Sequence, residues 1–205
     1  MDPNIFPTKG NLLLAKKSFF LARIGYELMD KKRNILIREL MELIEMAKSV
    51  QSEIDKTFPP AYAALQRANI QLGLHDVAQL VTSVPIENSV TVKTRSVMGT
   101  EIPFVEYDKT SSPPPYPYYS TVEALDEAKA GFEKVKDLTI RLSMIESSAY
   151  RLASSIKKTQ KRANALKNIT IPNYENRIRT ISDILEEKDR EEFTRLKQLK
   201  KTKEI

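Results

Sequence analysis

Four cations stand within six residues of one another: Lys157, Lys158, Lys161 and Arg162, with Arg151 before them and Lys167 after. No Asp or Glu lies between Ser147 and Tyr174, so nothing close in sequence neutralises them. Three kinds of chemistry suit such a patch. Lysine and arginine stripes neutralise nucleic-acid phosphates. They complement an acidic protein surface. They also stand simply solvated on an exposed helix. Aromatic residues are not interleaved with these cations, and no nucleic-acid-binding motif is present. The three readings stay open at this point.

Catalysis finds less to work with. Glu186, Glu187, Asp189, Glu191 and Glu192 cluster, but Lys188, Arg190 and Arg195 interleave with them. That is the pattern of an exposed helix laced with salt bridges. The chain has one His, His75, which reads as an ordinary residue at a helix end, and it has no Cys. A disulfide framework, a thiolate metal site and a His pair for acid–base work are thereby excluded. There is no G-x-x-x-x-G-K-[ST] phosphate loop and no G-x-S-x-G elbow. Tyr150 and Tyr174 read as packing groups. No catalytic residue, cofactor or metal ligand is expected.

The elements that carry these residues are helices. Only 5 of the 205 residues are Gly, and 29% are charged. A compact fold of this length needs many turns, and turns consume Gly, whereas long helices do not. No apolar run approaches a membrane span, and residues 1–11 hold no signal-peptide core, so a soluble intracellular protein is expected. Thr8 is placed to cap a helix starting near Lys9. Before Gly73 that helix meets only Gly10, Gly25 and the pair Pro59-Pro60, and the pair should kink or interrupt it. A second helix, capped by Ser120 or Thr121 with Glu123 in its first turn, meets only Gly131 and Pro172.

Heptads make the helices more specific. In the second, Val135, Leu138, Leu142, Ile145, Ala149, Leu152, Ile156, Thr159, Ala163 and Leu166 are spaced 3,4,3,4,3,4,3,4,3. Such a repeat is a coiled-coil seam. In the first, Leu36, Leu40, Leu43, Ala47, Val50 and Ile54 keep the same rhythm, and Leu14, Leu21 and Leu28 recur every seven. Lys157, Lys158, Lys161 and Arg162 flank the seam positions Ile156, Thr159 and Ala163. The phase slips in both helices: Ile24, Leu28, Lys32, Leu36 and Leu40 step in fours, as do Leu166, Thr170, Tyr174 and Ile178. Runs of fours unwind a left-handed supercoil locally.

Between the helices the chemistry changes. Val84–Tyr107 is rich in β-branched residues around Met98-Gly99, which reads as the turn of a β-hairpin, with Pro103 marking the second strand as an edge. Ser111–Tyr119 is a Pro-rich connector. The expected fold is all-α: a long antiparallel two-helix coiled coil with a small β-hairpin in its central connection. Its parts are a long helix over residues 8–80, a β-hairpin over 84–108, a Pro-rich linker over 109–120 and a long helix over 121–205. If residues near 80 lie beside residues near 122, Leu36 falls beside Leu166, Val50 beside Leu152 and Lys9 beside Phe193. At 1.5 Å per residue, about 75 helical residues would make a rod about 110 Å long.

The net charge of +6 is a difference between regions. Met1–Arg38 holds 8 basic and 3 acidic residues, Glu39–Tyr150 holds 10 and 16, and Arg151–Ile205 holds 15 and 8. An antiparallel pairing brings the two basic ends together and leaves an acidic middle.

The two ends also carry a resemblance. Pro7-Thr8-Lys9, Leu13-Leu14, Lys16-Lys17, Ala22, Gly25, Leu28, Lys31-Lys32-Arg33 and Leu36 resemble one end of a known family's pattern. Residues Ile156–Leu166, Ile171-Pro172, Leu185–Phe193 and Arg195-Leu196-Lys197 resemble the other. The chain is similar to the D subunits of the V-type and archaeal A-type rotary ATPases, the central rotor shaft. The resemblance implies a non-catalytic subunit that carries torque between a catalytic hexamer of A and B subunits and the ion-translocating ring. Its implied partners are the A and B subunits, the F subunit and the ring-capping C/d subunit. ATP is bound on the hexamer, and no direct nucleotide, nucleic acid or inserted membrane contact is implied. The complex would lie on the cytoplasmic face of the membrane. On this footing Lys157, Lys158, Lys161, Arg162, Arg190 and Arg195 are candidates for contact with the stator. Val90, Val92, Met98, Gly99, Ile102 and Phe104 are candidates for a regulatory role of the hairpin.

Overall fold

The computed structural model describes residues 6–84, 86, 89–107, 116, 117, 119 and 121–203. Its elements are α1 (Lys9–Leu72), α2 (Leu74–Thr82), β1 (Thr91–Val97), β2 (Thr100–Glu106), α3 (Glu123–Ala165), a π-helical turn (Leu166–Thr170) and α4 (Ile171–Lys203). Long helices and one small antiparallel sheet are the fold class that the heptads and β-branched runs imply. Most of the Pro-rich linker lies outside the described residues. Contacts group the chain into two units, Met1–Asn34 with Ile156–Ile205, and Ile35–Ser155.

In the first unit α1 begins where Thr8 caps it: the Asn11 N–H donates to Thr8 Oγ1 at 3.2 Å. The helices run antiparallel, but in a different register from the one expected. Lys9 Nζ lies 3.6 Å from Asp189, and Arg33 donates to Gln160 Oε1 at 2.9 Å. Leu166 faces Gly25, eleven residues before Leu36. The inward stripe of α1 also differs. Ala15 and Ala22 are buried, whereas Leu14, Leu21 and Leu28 are 60%, 58% and 57% exposed. Ala15, Ala22, Met29 and Leu36 recur every seven residues and stay in phase with the later seam, which Leu28 does not. The run of fours through Ile24 and Leu28 is therefore not the packed seam of this helix.

The slip in the second helix is real. Inward positions run Ile156, Thr159, Ala163, Leu166, Thr170, Tyr174, Ile178, Ile181 and Leu185, none of them exposed. One step of three has become four, which is one residue too many for a heptad. The π turn takes up that residue: the Ile171 N–H donates to the carbonyl of Leu166, five residues back. Thr170 Oγ1 donates to the Ala165 carbonyl at 3.4 Å. Pro172 follows at once, where a wider turn relieves its ring against the carbonyl four residues earlier.

In the second unit small side chains let two backbones approach. Ala61, Ala64 and Ala68 of α1 are buried, as are Ala124 and Ala128 of α3. A Cβ on Gly131 would lie 2.7 Å from Ala61 Cβ. Phe58, Tyr62 and Phe132 stack edge and face around this contact, with Tyr62 5.3 Å from Phe132. This packing brackets Pro59-Pro60, and α1 continues through both prolines without interruption. The break comes instead at Gly73, whose φ of 92° and ψ of 145° suit glycine alone. After it, α2 turns Val77 into a cluster with Ala68, Tyr116, Ala124 and Leu125. Ala68 thus packs at the start of α3, and Leu80 of α2 folds back against the same cluster.

Candidate partner-binding surfaces

The first unit holds 21 basic and 11 acidic residues, the second 12 and 16. Helix α3 places Thr159 and Ala163 inward, at 5% and 1% exposure. It thereby turns Lys157, Lys158, Lys161 and Arg162 to solvent, as their spacing around the seam predicts. Among the described residues these four form no ion pair. Arg190 and Arg195 differ: each lies 4.0 Å from a carboxylate on its own helix, Glu187 and Glu191. All four groups are exposed, and such pairs are worth about 1 kcal/mol or less. Lys167 leans over the Tyr26 ring at 5.9 Å.

A second surface includes Leu14, Leu21 and Leu28, which their seven-residue spacing places in the seam. Leu13, Leu14, Phe20, Leu21 and Leu28 are exposed along α1, beside the exposed Lys16, Lys17 and Arg23. Phe193, Leu196 and Leu199 are exposed on α4. Large exposed apolar side chains at helical spacing mark protein contacts. The signal that could have found them is the phase conflict with Leu36.

The third surface is the hairpin. Met98 and Gly99 have φ of 49° and 73°, the pair of positive values that a tight two-residue turn requires. Ile102 and Val97 are buried, while Val90, Val92, Met98 and Phe104 are exposed. Strand β2 lies along α3 in the opposite direction. The Val105 N–H donates to Met144 Sδ at 3.4 Å, Ser148 Oγ donates to the Pro103 carbonyl at 3.3 Å, and Arg151 donates to the Glu101 carbonyl at 3.3 Å. Thr100 Oγ1 donates to Ser155 Oγ at 2.8 Å. The lengths agree: five strand residues at about 3.3 Å and eleven helix residues at about 1.5 Å both span roughly 17 Å. A cavity of about 580 Å³ lies behind the hairpin, lined by Leu43, Met46 and Val50 of α1, Phe104 of β2 and Met144 of α3.

Heptad-packed helices, clustered exposed cations and exposed apolar stripes define the class of long helical proteins with extensive surface for contact. Known proteins agree with that class. The family of the ATP synthase D subunits matches residues 11–201. The chain is 43% identical over 197 residues to the V-type ATP synthase D subunit of Thermotoga neapolitana, covering 96% of this chain and 97% of that one. It is 35% identical to the A-type ATP synthase D subunit of Pyrococcus horikoshii, covering 96% and 93%. The same identity relates it to that of Thermococcus kodakarensis, covering 96% and 94%. The chain belongs to the ATP synthase D-subunit family.

Proposed function

We propose that the exposed cations of this chain form an electrostatic bearing in a rotary motor. As the D subunit of a V- or A-type ATP synthase, the chain is the central stalk component, transmitting torque between the catalytic hexamer and the membrane ring. Lys157, Lys158, Lys161 and Arg162 would meet acidic loops of the A and B subunits in turn, with Arg190 and Arg195 further along the same unit. Each contact must release as the rotor advances, and solvated cations suit that demand because exposed pairs are weak. The observation that carries this reading is the exposure of four clustered cations that make no ion pair among the described residues. The exposed leucine stripe of α1 would supply the apolar part of the same contact.

The F subunit and the ring-capping C/d subunit would bind within residues 35–155, where acidic residues outnumber basic ones. The Phe58, Tyr62 and Phe132 cluster offers the F subunit an aromatic surface there, with Tyr62 half exposed. The hairpin residues Val90, Val92, Met98, Gly99, Ile102 and Phe104 would tune ATPase turnover. No helix among the described residues is long and apolar enough to cross a membrane. The complex would hold the chain on the cytoplasmic face, with ATP bound by the hexamer and no nucleotide or nucleic acid on this chain. Charge reversal at Lys161 and Arg162 tests the bearing in the reassembled complex. Weaker binding to the A/B hexamer or an altered ATPase rate is expected. Unchanged affinity together with unchanged rate would overturn it.

A further inference from the structure

The hairpin has two edges, and the molecule treats them differently. Because a two-residue turn joins the strands, Val97 and Thr100 form a hydrogen-bonded pair, and so do Arg95 with Ile102 and Lys93 with Phe104. The intervening residues point their backbone groups outward: Glu101, Pro103 and Val105 on β2, and Val92, Thr94 and Ser96 on β1. On β2 those outward groups are covered. Met144, Ser148 and Arg151, spaced four and three along one face of α3, bond to Val105, Pro103 and Glu101. Pro103 itself stands where no donor is needed.

Strand β1 has no such cover. Its first six residues are exposed, and among the described residues the backbone groups of Val92, Thr94 and Ser96 have no partner. The devices that usually blunt an open edge are weak here. The strand has seven residues and no proline, and its Lys93 is tied back to Glu106 across the hairpin. Arg95 is exposed and unpaired among the described residues.

We propose that β1 is a docking edge that takes an extended segment of another protein of the complex as a third strand. Main-chain hydrogen bonds at Val92, Thr94 and Ser96 would supply the affinity. The side chains define the segment. Apolar or β-branched residues at alternate positions fit the uncharged face of Val92, Thr94 and Ser96. A carboxylate on the opposite face fits Arg95. The proposal rests on the reading of the hairpin as a contact element and specifies how the contact is made.

Amide-resolved hydrogen exchange, on the free chain and on the purified ATP synthase containing it, tests the pairing. The Val92, Thr94 and Ser96 amides should slow at least tenfold in the complex. The Lys93, Arg95 and Val97 amides, already bonded within the hairpin, should change far less. Equal exchange at Val92, Thr94 and Ser96 in both samples overturns the proposal. Thr94→Pro separates it from the broader role of the hairpin. Position 94 lies opposite Pro103, so a proline there removes only an outward donor. Deletion of Ser89–Tyr107 should shift turnover of the complex, and Thr94→Pro should shift it likewise, while Thr94→Val, which keeps the N–H, should not. If the deletion changes turnover and Thr94→Pro does not, the regulatory hairpin stands and strand pairing fails. If the deletion has no effect, the regulatory reading fails and the exchange result decides the pairing alone.

Discussion

Gly131 and Gly25 look alike in the sequence, each a single glycine inside a helical pattern, yet their surroundings give opposite predictions. At Gly131 a new Cβ would overlap Ala61, 2.7 Å from its Cβ and 3.2 Å from its Cα. Backbone cannot yield as the end of a long side chain can. Overpacking of this kind costs about 1–3 kcal/mol and outweighs the helix propensity gained, up to about 1 kcal/mol. Gly131→Ala should therefore lower the urea midpoint. At Gly25 the new Cβ would stand 3.8 Å from Leu166 Cδ1, an ordinary contact. Gly25→Ala should raise the midpoint, by a stability gain of about 0.5–1 kcal/mol. A loss of stability at Gly25, or a gain at Gly131, would contradict the packing described. Nothing in the sequence separates the two glycines, because the difference lies in how closely the opposite backbone approaches.

At the scale of elements, the π turn is the structural answer to one surplus residue. If it were drawn into a regular α-helix at fixed length, α4 would rotate by about 100° and carry Ile178, Ile181 and Leu185 off the seam. Removing the surplus residue should do the opposite. Deletion of the exposed Asn168 should abolish the π turn, restore the alternation of threes and fours, and leave α4 in place. Its melting temperature should match or exceed that of the parent chain. A comparable deletion in the regular part of α3, such as Ser147, should destabilise strongly. If both deletions destabilise alike, the surplus residue is not what the turn absorbs. This slip was legible because large apolar residues mark both of its sides. The packed stripe of α1 is not legible, since leucines at 14, 21 and 28 outweigh alanines at 15 and 22 by hydrophobicity alone. Facing backbones select small side chains, and periodicity by itself does not report size. Pro59-Pro60 do not interrupt the helix, and the packing of Phe58 and Tyr62 on Phe132 supports it through a pair that local propensity disfavours.

For the whole molecule, charge is the feature the sequence states most directly. Its changes of sign at Arg38 and Arg151 fall within five residues of the boundaries between the two units, at Asn34 and Ser155. Association of the chain with the A/B hexamer should accordingly weaken as salt rises across the Debye range of about 10 Å at 0.1 M. The variant Lys161→Glu/Arg162→Glu should show a shallower salt dependence, measured as affinity at several ionic strengths. An identical slope for both would remove the cations from the contact. Binding to generic DNA should stay weak at physiological salt, because the cations lack interleaved aromatics for bases to stack upon. The docking of β2 on α3 was not legible, since it depends on matching two different rises per residue along elements 40 residues apart.

That match also constrains how the hairpin can change length over evolution. One added residue in β2 reverses every later side chain between its two faces. Two added residues advance the strand by about 6.6 Å, close to four and a half residues of helix, which reaches the next turn of α3. Insertions that survive in related lineages should thus come as pairs in each strand, and hairpins across the family should differ by multiples of four residues.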